Sequence, residues 1–337
     1  MNEIKLSSKA QLLYHLREKQ GAPVSGSILA RDMGISRVAV WKAVQSLLES
    51  GYLIETNDNG YLLEPENEKD FLYPWEFGEK ENLFYHYYNT GSTMDRAREL
   101  AVRGIEKAVI SAEKQSAGRG RYGRTWVSRQ GGLFFSILEK PKLTIADYSL
   151  MSLVIQIAVV KSLTSICGKQ AYLRWPNDIY INRRKIAGIT TEICGEADLI
   201  SWFTGGIGVN VNNKAPSAKA ISCEEVLGKP ISRKAVLDKI LEEIEIVKKS
   251  LNANAVYTQG NRTLANEWNQ MADCIGAKAA VFEPQYKNDN ITNNPKNILA
   301  RGIFAGIDPA GRCILKTKEK GELYFNHGSV SLAFIIT

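Results

Sequence analysis

Between Leu83 and Met271 the chain alternates two hydrophobic periods that no all-helical or all-strand fold satisfies together. Short runs such as "AVISAE", "GLFFSIL" and "WFTGGIGVNV" carry the β-branched and aromatic residues of strands. Among them, "SLMSLVIQIAVVKSL" and "SRKAVLDKILEEIEIVKKSL" repeat apolar residues at helical spacing. Elements in such alternation pack as helices layered on a sheet, so residues 83–271 are expected to form an α/β domain with a mixed sheet.

The flanking patterns differ. In "SGSILARDMGISRVAVWKAVQSLLESGY", Ala30 and Gly34 stand four apart, and Val40, Val44 and Leu47 follow at helical spacing. That suits two helices crossing through a tight turn at Gly34. Ser36 is placed to cap the second helix, and "YLIETNDNGYLL" reads as a hairpin turning at Asn59 and Gly60. Residues 1–64 are therefore expected to be a winged helix-turn-helix, with Ser36, Arg37 and Lys42 placed to reach base edges and phosphates of DNA. A plain helical protein-interaction domain is the alternative. Residues 65–82, charged and proline-bearing, read as a linker. In residues 272–337, "KAAVFEP", "ILARGIFAGID", "RCILKT" and "ELYFN" read as short strands, expected to close as a small SH3-like β-barrel around an Asn-rich loop, "PQYKNDNITNNPKN".

With 337 residues, 44% of them hydrophobic, the chain can bury more than one core. Its net charge of +7 suits a partner bearing phosphates without identifying one. The five cysteines show no C-x-x-C spacing and read as free thiols of a reducing compartment. His15, His86 and His327 show no ligand spacing, so no metal site is expected. The N-terminus has no apolar signal core, and "LMSLVIQIAVV" is interrupted by Gln156 and too short to span a bilayer. A cytoplasmic protein without membrane association is expected.

In "AGRGRYGRTWVS", residues 117–128, Gly118, Gly120 and Gly123 spell the dinucleotide-binding fingerprint G-x-G-x-x-G. A Rossmann turn would open a helix, but here "TWVSRQGGLFFSIL" continues as strand, so that reading fails. Glycines with Arg119, Arg121 and Arg124 between and after them describe instead a flexible loop able to fold over several negative charges, such as a triphosphate and a carboxylate.

Three further motifs, "NTGSTMDRA" at 89–97, "RWPNDIYINRRKIAGI" at 174–189 and "GGIGVNVN" at 205–212, join "AEKQSAGRGRYGRTW" in one order along the chain. Together they resemble the biotin protein ligases, and with the winged helix in front the whole chain resembles the bifunctional ligases that also repress biotin genes. The resemblance implies biotin as substrate, ATP with Mg²⁺, formation of biotinyl-5'-AMP, and transfer of biotin to a lysine of a biotin carboxyl carrier protein. It further implies operator DNA as partner and a ligand-promoted homodimer.

Site roles follow from that resemblance. Ser92 and Thr93 fall in the biotin-binding turn, and Gln115 matches the glutamine that hydrogen-bonds the ureido ring. Met94 stands where the family often has Asn. Gly118, Arg119, Gly120, Arg121, Gly123 and Arg124 match the ligand-ordering loop, with Tyr122 in place of an often basic residue. Trp126 matches a tryptophan beside the adenine, Asn177 and Asp178 lie in the family's W-P-N-D turn, and Asn210 matches an asparagine near the nucleotide. Lys185 matches the lysine on the biotin carboxyl and phosphate, and Gly188 joins the biotin contacts. Lys185, Arg119 and Asp178 are the candidate catalytic groups: two anions meet when a carboxylate attacks the α-phosphorus, which fixed cations offset, and Asp178 can orient or deprotonate the acceptor amine. Other readings remain: Trp126 and Trp175 as core aromatics, Asp178 as a turn cap, a lipoate or octanoate ligase, or a repressor that only senses biotin. The family's barrel ends in Gly-Glu-Val-Ser-Leu, whereas this chain has Ser329 in place of the acid.

Overall fold

The computed structural model describes residues 6–64, 70–145, 148–196, 199–252, 257–283, 298–326, 328 and 330–334. The Asn-rich segment from Pro284 to Asn297, His327 and Ser329 lie outside the described residues. The chain divides into two compact units, Met1–His86 and Tyr87–Thr337.

In the first unit, α1 (Ser8–Glu18), α2 (Gly26–Asp32) and α3 (Arg37–Glu49) precede the hairpin β1 (Ile54–Asn57) and β2 (Gly60–Leu63). Each helix opens on a serine, Ser7, Ser25 or Ser36, whose hydroxyl accepts from a first-turn N–H. Gly34 takes φ +63°, the left-handed turn that its position between α2 and α3 requires. Leu12, Leu16, Leu29, Val40, Val44 and Leu47 form the core. This is the expected helix-turn-helix with a wing, but the wing turns one residue earlier than its Asn-Gly pair suggests. Asn57 pairs with Gly60, leaving Asp58 and Asn59 as the loop. Glycine is needed at 60 for a different reason: an added Cβ would lie 2.1 Å from the Val24 carbonyl oxygen, across a bridge between Val24 and Tyr61. Beyond the hairpin, Phe71, Tyr73 and Trp75 pack on the same core, and the Trp75 indole donates to the Tyr52 hydroxyl at 3.0 Å.

The second unit is built on a seven-stranded sheet. Its strands are β3 (Phe84–Thr90), β4 (Lys107–Gln115), β5 (Leu133–Glu139), β6 (Tyr172–Arg174), β7 (Asp178–Ile181), β8 (Arg184–Glu196) and β9 (Leu199–Val209). They lie in the order β3-β4-β5-β9-β8-β7-β6. Its helices are α4 (Thr93–Val102), α5 (Tyr148–Cys167), α6 (Cys223–Leu227), α7 (Arg233–Asn252) and α8 (Tyr257–Met271). By length and composition α5 could cross a membrane, yet it is buried within the unit against α7 and α8. The apolar run is longer than its sequence core suggests because Gln156 is satisfied inside the fold, accepting from the Trp268 indole at 2.8 Å and donating to Ser152 at 3.1 Å. Successive glycines of β9 face opposite layers, as a strand's period of two demands. An added Cβ on Gly205 would meet Ile155 of α5 at 2.5 Å, and one on Gly206 would meet Met94 of α4 at 2.6 Å.

The C-terminal strands correct the expectation of an SH3-like barrel. β10 (Lys278–Phe282), β11 (Ile298–Ile307), β12 (Cys313–Thr317), β13 (Gly321–Phe325) and β14 (Ser331–Phe334) form one sheet in the order β13-β12-β11-β10-β14. Closure needs every strand to have two neighbours. Among the described residues β13 pairs with β12 alone and β14 with β10 alone, so the sheet stays open. The burial pattern explains this: β13 has no buried residue and so has no apolar side to close over a barrel interior.

Candidate active site

On the α4 side of the large sheet, a cavity of about 200 Å³ opens above β8 and β9. Its floor is made by missing side chains. Gly188 of β8 pairs directly with Gly208 of β9. An added Cβ would meet the Trp126 indole at 2.8 Å from Gly188 and 2.5 Å from Gly208. Trp126 therefore lies flat on a glycine pair, with Lys185 Nζ 5.1 Å from its ring centroid. Its buried Nε1 has no hydrogen-bond partner, which marks a donor left for something that enters the cavity.

One wall is polar. Ser92 caps α4 by accepting from the Met94 N–H, and Gln115 Oε1 accepts from the Thr93 N–H at 2.8 Å and the Thr93 hydroxyl at 3.2 Å. Gln115 Nε2 donates to Ser128 Oγ at 2.9 Å, and Ser136 donates to Thr93 Oγ1 at 2.8 Å. The glutamine amide is thus fixed at the end of β4. Met94 is buried beside it, its thioether over Gly206.

The other wall is cationic, with Arg119, Arg121, Arg124 and Lys185 all lining the cavity. The loop that carries the arginines is a small hairpin rather than an irregular flap. The Trp126 N–H donates to the Gly118 carbonyl at 2.8 Å, the Gly120 N–H to that of Arg124 at 2.8 Å, and Arg119 bridges Thr125. At its tip Tyr122 takes φ +58°, an unfavourable conformation for a residue with a Cβ. Its hydroxyl donates to the Val330 carbonyl at 2.8 Å, and Arg121 Nη2 donates to the same oxygen at 3.3 Å and to the Tyr122 hydroxyl at 2.7 Å. Burial lowers the pKa of the Arg121 guanidinium from its ordinary value, because charge is disfavoured away from water. Arg119 is paired with Asp95. Lys185 Nζ lies 2.7 Å from Asp178 Oδ1 across the β7–β8 hairpin, and Asn177 Nδ2 donates to the Ile189 carbonyl at 2.6 Å.

Ser92, Thr93, Gln115, Arg119, Gly120, Arg121, Arg124, Trp126, Asn177, Asp178, Lys185 and Gly188 therefore share one cavity. Gly118 does not line it and serves the hairpin: an added Cβ would come within 2.6 Å of the Trp126 carbonyl and 2.7 Å of Ser128 Oγ. Asn210 does not line it either; it is buried and accepts from Asn213 Nδ2 at 3.0 Å. Trp175 donates to the Gly311 carbonyl at 3.3 Å beside a second, smaller cavity. Sequence reasoning missed Gly206, Gly208 and Thr190 as lining residues, and Asp95, Ser128 and Val330 as partners. The two glycines carried a signal, since glycines at alternate strand positions mark a close approach on one face. Val330 carried none, because it acts through its carbonyl. In the first unit, Ser36, Arg37 and Lys42 are exposed at the start of α3, and the Ser36 hydroxyl is engaged as its cap.

Residues 91–212 match the Biotin/lipoate A/B protein ligase family, and residues 9–62 an HTH domain family. The chain is 35% identical over 310 residues to the bifunctional ligase/repressor BirA of Bacillus subtilis, covering 88% of this chain and 90% of that protein. It is 31% identical to the biotin--[acetyl-CoA-carboxylase] ligase of Paracoccus denitrificans, over 67% of this chain and 91% of that one. A solved structure of the Aquifex aeolicus biotin protein ligase, in complex with biotin and ATP, superposes with a TM-score of 0.59 at 25% identity, covering 75% of this chain and 99% of that one. A helix-turn-helix unit ahead of a glycine-floored cavity with one polar and one cationic wall, matched over nearly its whole length by such a relative, places this chain in the family of the bifunctional biotin protein ligase/repressors.

Proposed function

We propose that this chain joins biotin to ATP as biotinyl-5'-AMP, transfers the biotin to a lysine of a biotin carboxyl carrier protein, and uses the bound adenylate to control repression of biotin genes. The observation that carries the reading is the cavity itself, where Lys185, Arg119, Arg121 and Arg124 converge opposite Ser92, Thr93 and Gln115 over a floor without side chains. In the first step a carboxylate oxygen of biotin forms a bond to the α-phosphorus and the bond to pyrophosphate breaks. Two anions must approach for this, and cations fixed beforehand offset the repulsion without reorganising during the reaction. Lys185, oriented by Asp178, is the cation on biotin carboxylate and phosphate, and Arg119 and Arg121 neutralise the rest. Gln115 and the Ser92–Thr93 turn hold the ring of biotin; Arg124, Trp126 and Asn177 border the nucleotide. ATP is taken as its magnesium salt, because Mg²⁺ coordinates phosphate oxygens readily. In the second step the acceptor lysine amine attacks the acyl carbon and AMP leaves, with Asp178 the nearby carboxylate for the departing proton.

The repressor half of the proposal rests on the helix-turn-helix, with Arg37 and Lys42 as its DNA contacts. One copy reads a short half-site, so an operator with two half-sites calls for a homodimer, which the adenylate promotes by binding it more tightly than the monomer. A cytoplasmic location belongs to the same reading. The purified chain incubated with biotin and ATP is expected to release pyrophosphate and retain an acyl-adenylate. Release with lipoate or octanoate, and none with biotin, would reassign it to the other branch of the matched family.

A further inference from the structure

The exposed face of α3 indicates which base feature it reads, an inference that rests on the DNA-binding reading above. Val38 is 62% exposed and Trp41 52% exposed, although the same helix buries Val40, Val44 and Leu47 completely. Three residues apart, Val38 and Trp41 lie on one face, outside a core that is already filled. Scattered exposed valines are ordinary, but an indole left in water beside one is a contact surface without its partner.

The charges around this pair say what the partner is. Arg37 and Lys42 flank it, both exposed, and α3 carries no acidic residue before Glu49. At the exposed part of the wing the charges are acidic, Glu55 and Asp58, so of these two elements it is α3 that attracts a polyanion. Arg37, Val38, Trp41 and Lys42 occupy the N-terminal turns of the helix, the part that meets base edges when such a helix enters the major groove. In that groove the apolar feature is the thymine methyl group. A separation of three residues gives about 4.5 Å of rise, close to the roughly 3.4 Å between successive base pairs.

We infer that Val38 and Trp41 read the methyl groups of two thymines on neighbouring base pairs, between phosphate contacts made by Arg37 and Lys42. The Ser36 hydroxyl accepts from the Ala39 N–H at 3.2 Å as the helix cap, which leaves its O–H to donate to DNA.

The test uses the full chain with biotin and ATP to select duplexes from a random pool, and then replaces each thymine of the selected duplex by uracil, which removes only the methyl. Each of two neighbouring replacements is expected to weaken binding roughly four-fold, the worth of one buried methyl. One of them should have no further effect on Val38→Ala and the other none on Trp41→Ala. Both positions are exposed, so unchanged thermal melting and unchanged ligation confirm intact proteins. Uracil without effect at every position, or the same uracil effect in both variants, would overturn the inference while leaving DNA binding in place. A pool that yields no preferred duplex would instead remove the DNA-binding reading, and this inference with it.

Discussion

In the sheet cavity the cations are held before any ligand arrives: Lys185 by Asp178 at 2.7 Å, Arg119 by Asp95, and Arg121 by the Tyr122 hydroxyl and the Val330 carbonyl. On α3, Arg37 and Lys42 stand in water on a helix that carries no acid before Glu49. Both regions suit anions, but charges fixed by partners at a cavity wall lower a barrier, whereas mobile surface charges raise an affinity by releasing counterions. Substitutions in the cavity should therefore change rates with little dependence on salt. Substitutions on α3 should change DNA affinity, and its salt dependence, without touching chemistry.

Lys185→Ala tests the first half most severely. Single-turnover adenylation is expected to fall about a hundred- to a thousand-fold, with melting nearly unchanged because the side chain is partly exposed. A near-normal rate would place the acting charge elsewhere. Next, Gly208→Ala puts a methyl 2.5 Å from the rigid Trp126 indole, whereas Gly206→Ala puts one 2.6 Å from the flexible end of Met94. Overpacking costs about 1–3 kcal/mol where neighbours cannot yield. The ATP KM should rise on the order of ten-fold or more for Gly208→Ala and by less for Gly206→Ala, and equal effects would mean that the Trp126 indole does not rest on Gly208. On α3, Arg37→Ala should weaken duplex binding about uniformly across sequences and reduce the salt slope by about one, while ligation continues at its normal rate. The smallest effect is expected for Tyr122→Phe, which removes the hydrogen bond to the Val330 carbonyl and the one from Arg121, each worth about 0.5–1.5 kcal/mol, while Arg121 keeps its own bond to Val330. The bound adenylate should leave a few-fold faster, and an unchanged off-rate would make that contact irrelevant to ligand retention.

Most of the cavity was legible because its chemistry is local in sequence. The turn at Ser92 and Thr93, the arginine-glycine loop and the stretch through Lys185 each keep cavity-lining side chains within a few residues, and the sheet only has to bring three segments together. What stayed hidden depends on distant partners. Val330 meets Tyr122 from more than two hundred residues away, and a backbone carbonyl leaves no mark in a side-chain pattern. The open C-terminal sheet is hidden for a related reason: short strands between turns are common to barrels and open sheets, and the exposure of β13 is what separates them. In the first unit, Phe71, Tyr73 and Trp75 sit in a charged, proline-bearing stretch that reads as a linker, yet they complete the core of the helix-turn-helix. Deleting residues 1–63 would leave those aromatics without that core, so point substitutions on α3 separate DNA binding from ligation more cleanly than the truncation does.

The central claim is that the cavity makes the ligand that α3 responds to, and it is tested most directly by titrating one selected duplex with the full chain, with and without biotin plus ATP. The account predicts tightening on the order of ten-fold when both are present, and none in Lys185→Ala read at a time when the parent has completed a turnover and the slowed variant has not, its affinity without ligand staying that of the parent. Equal affinity with and without biotin and ATP, or tightening that survives in Lys185→Ala, would contradict it.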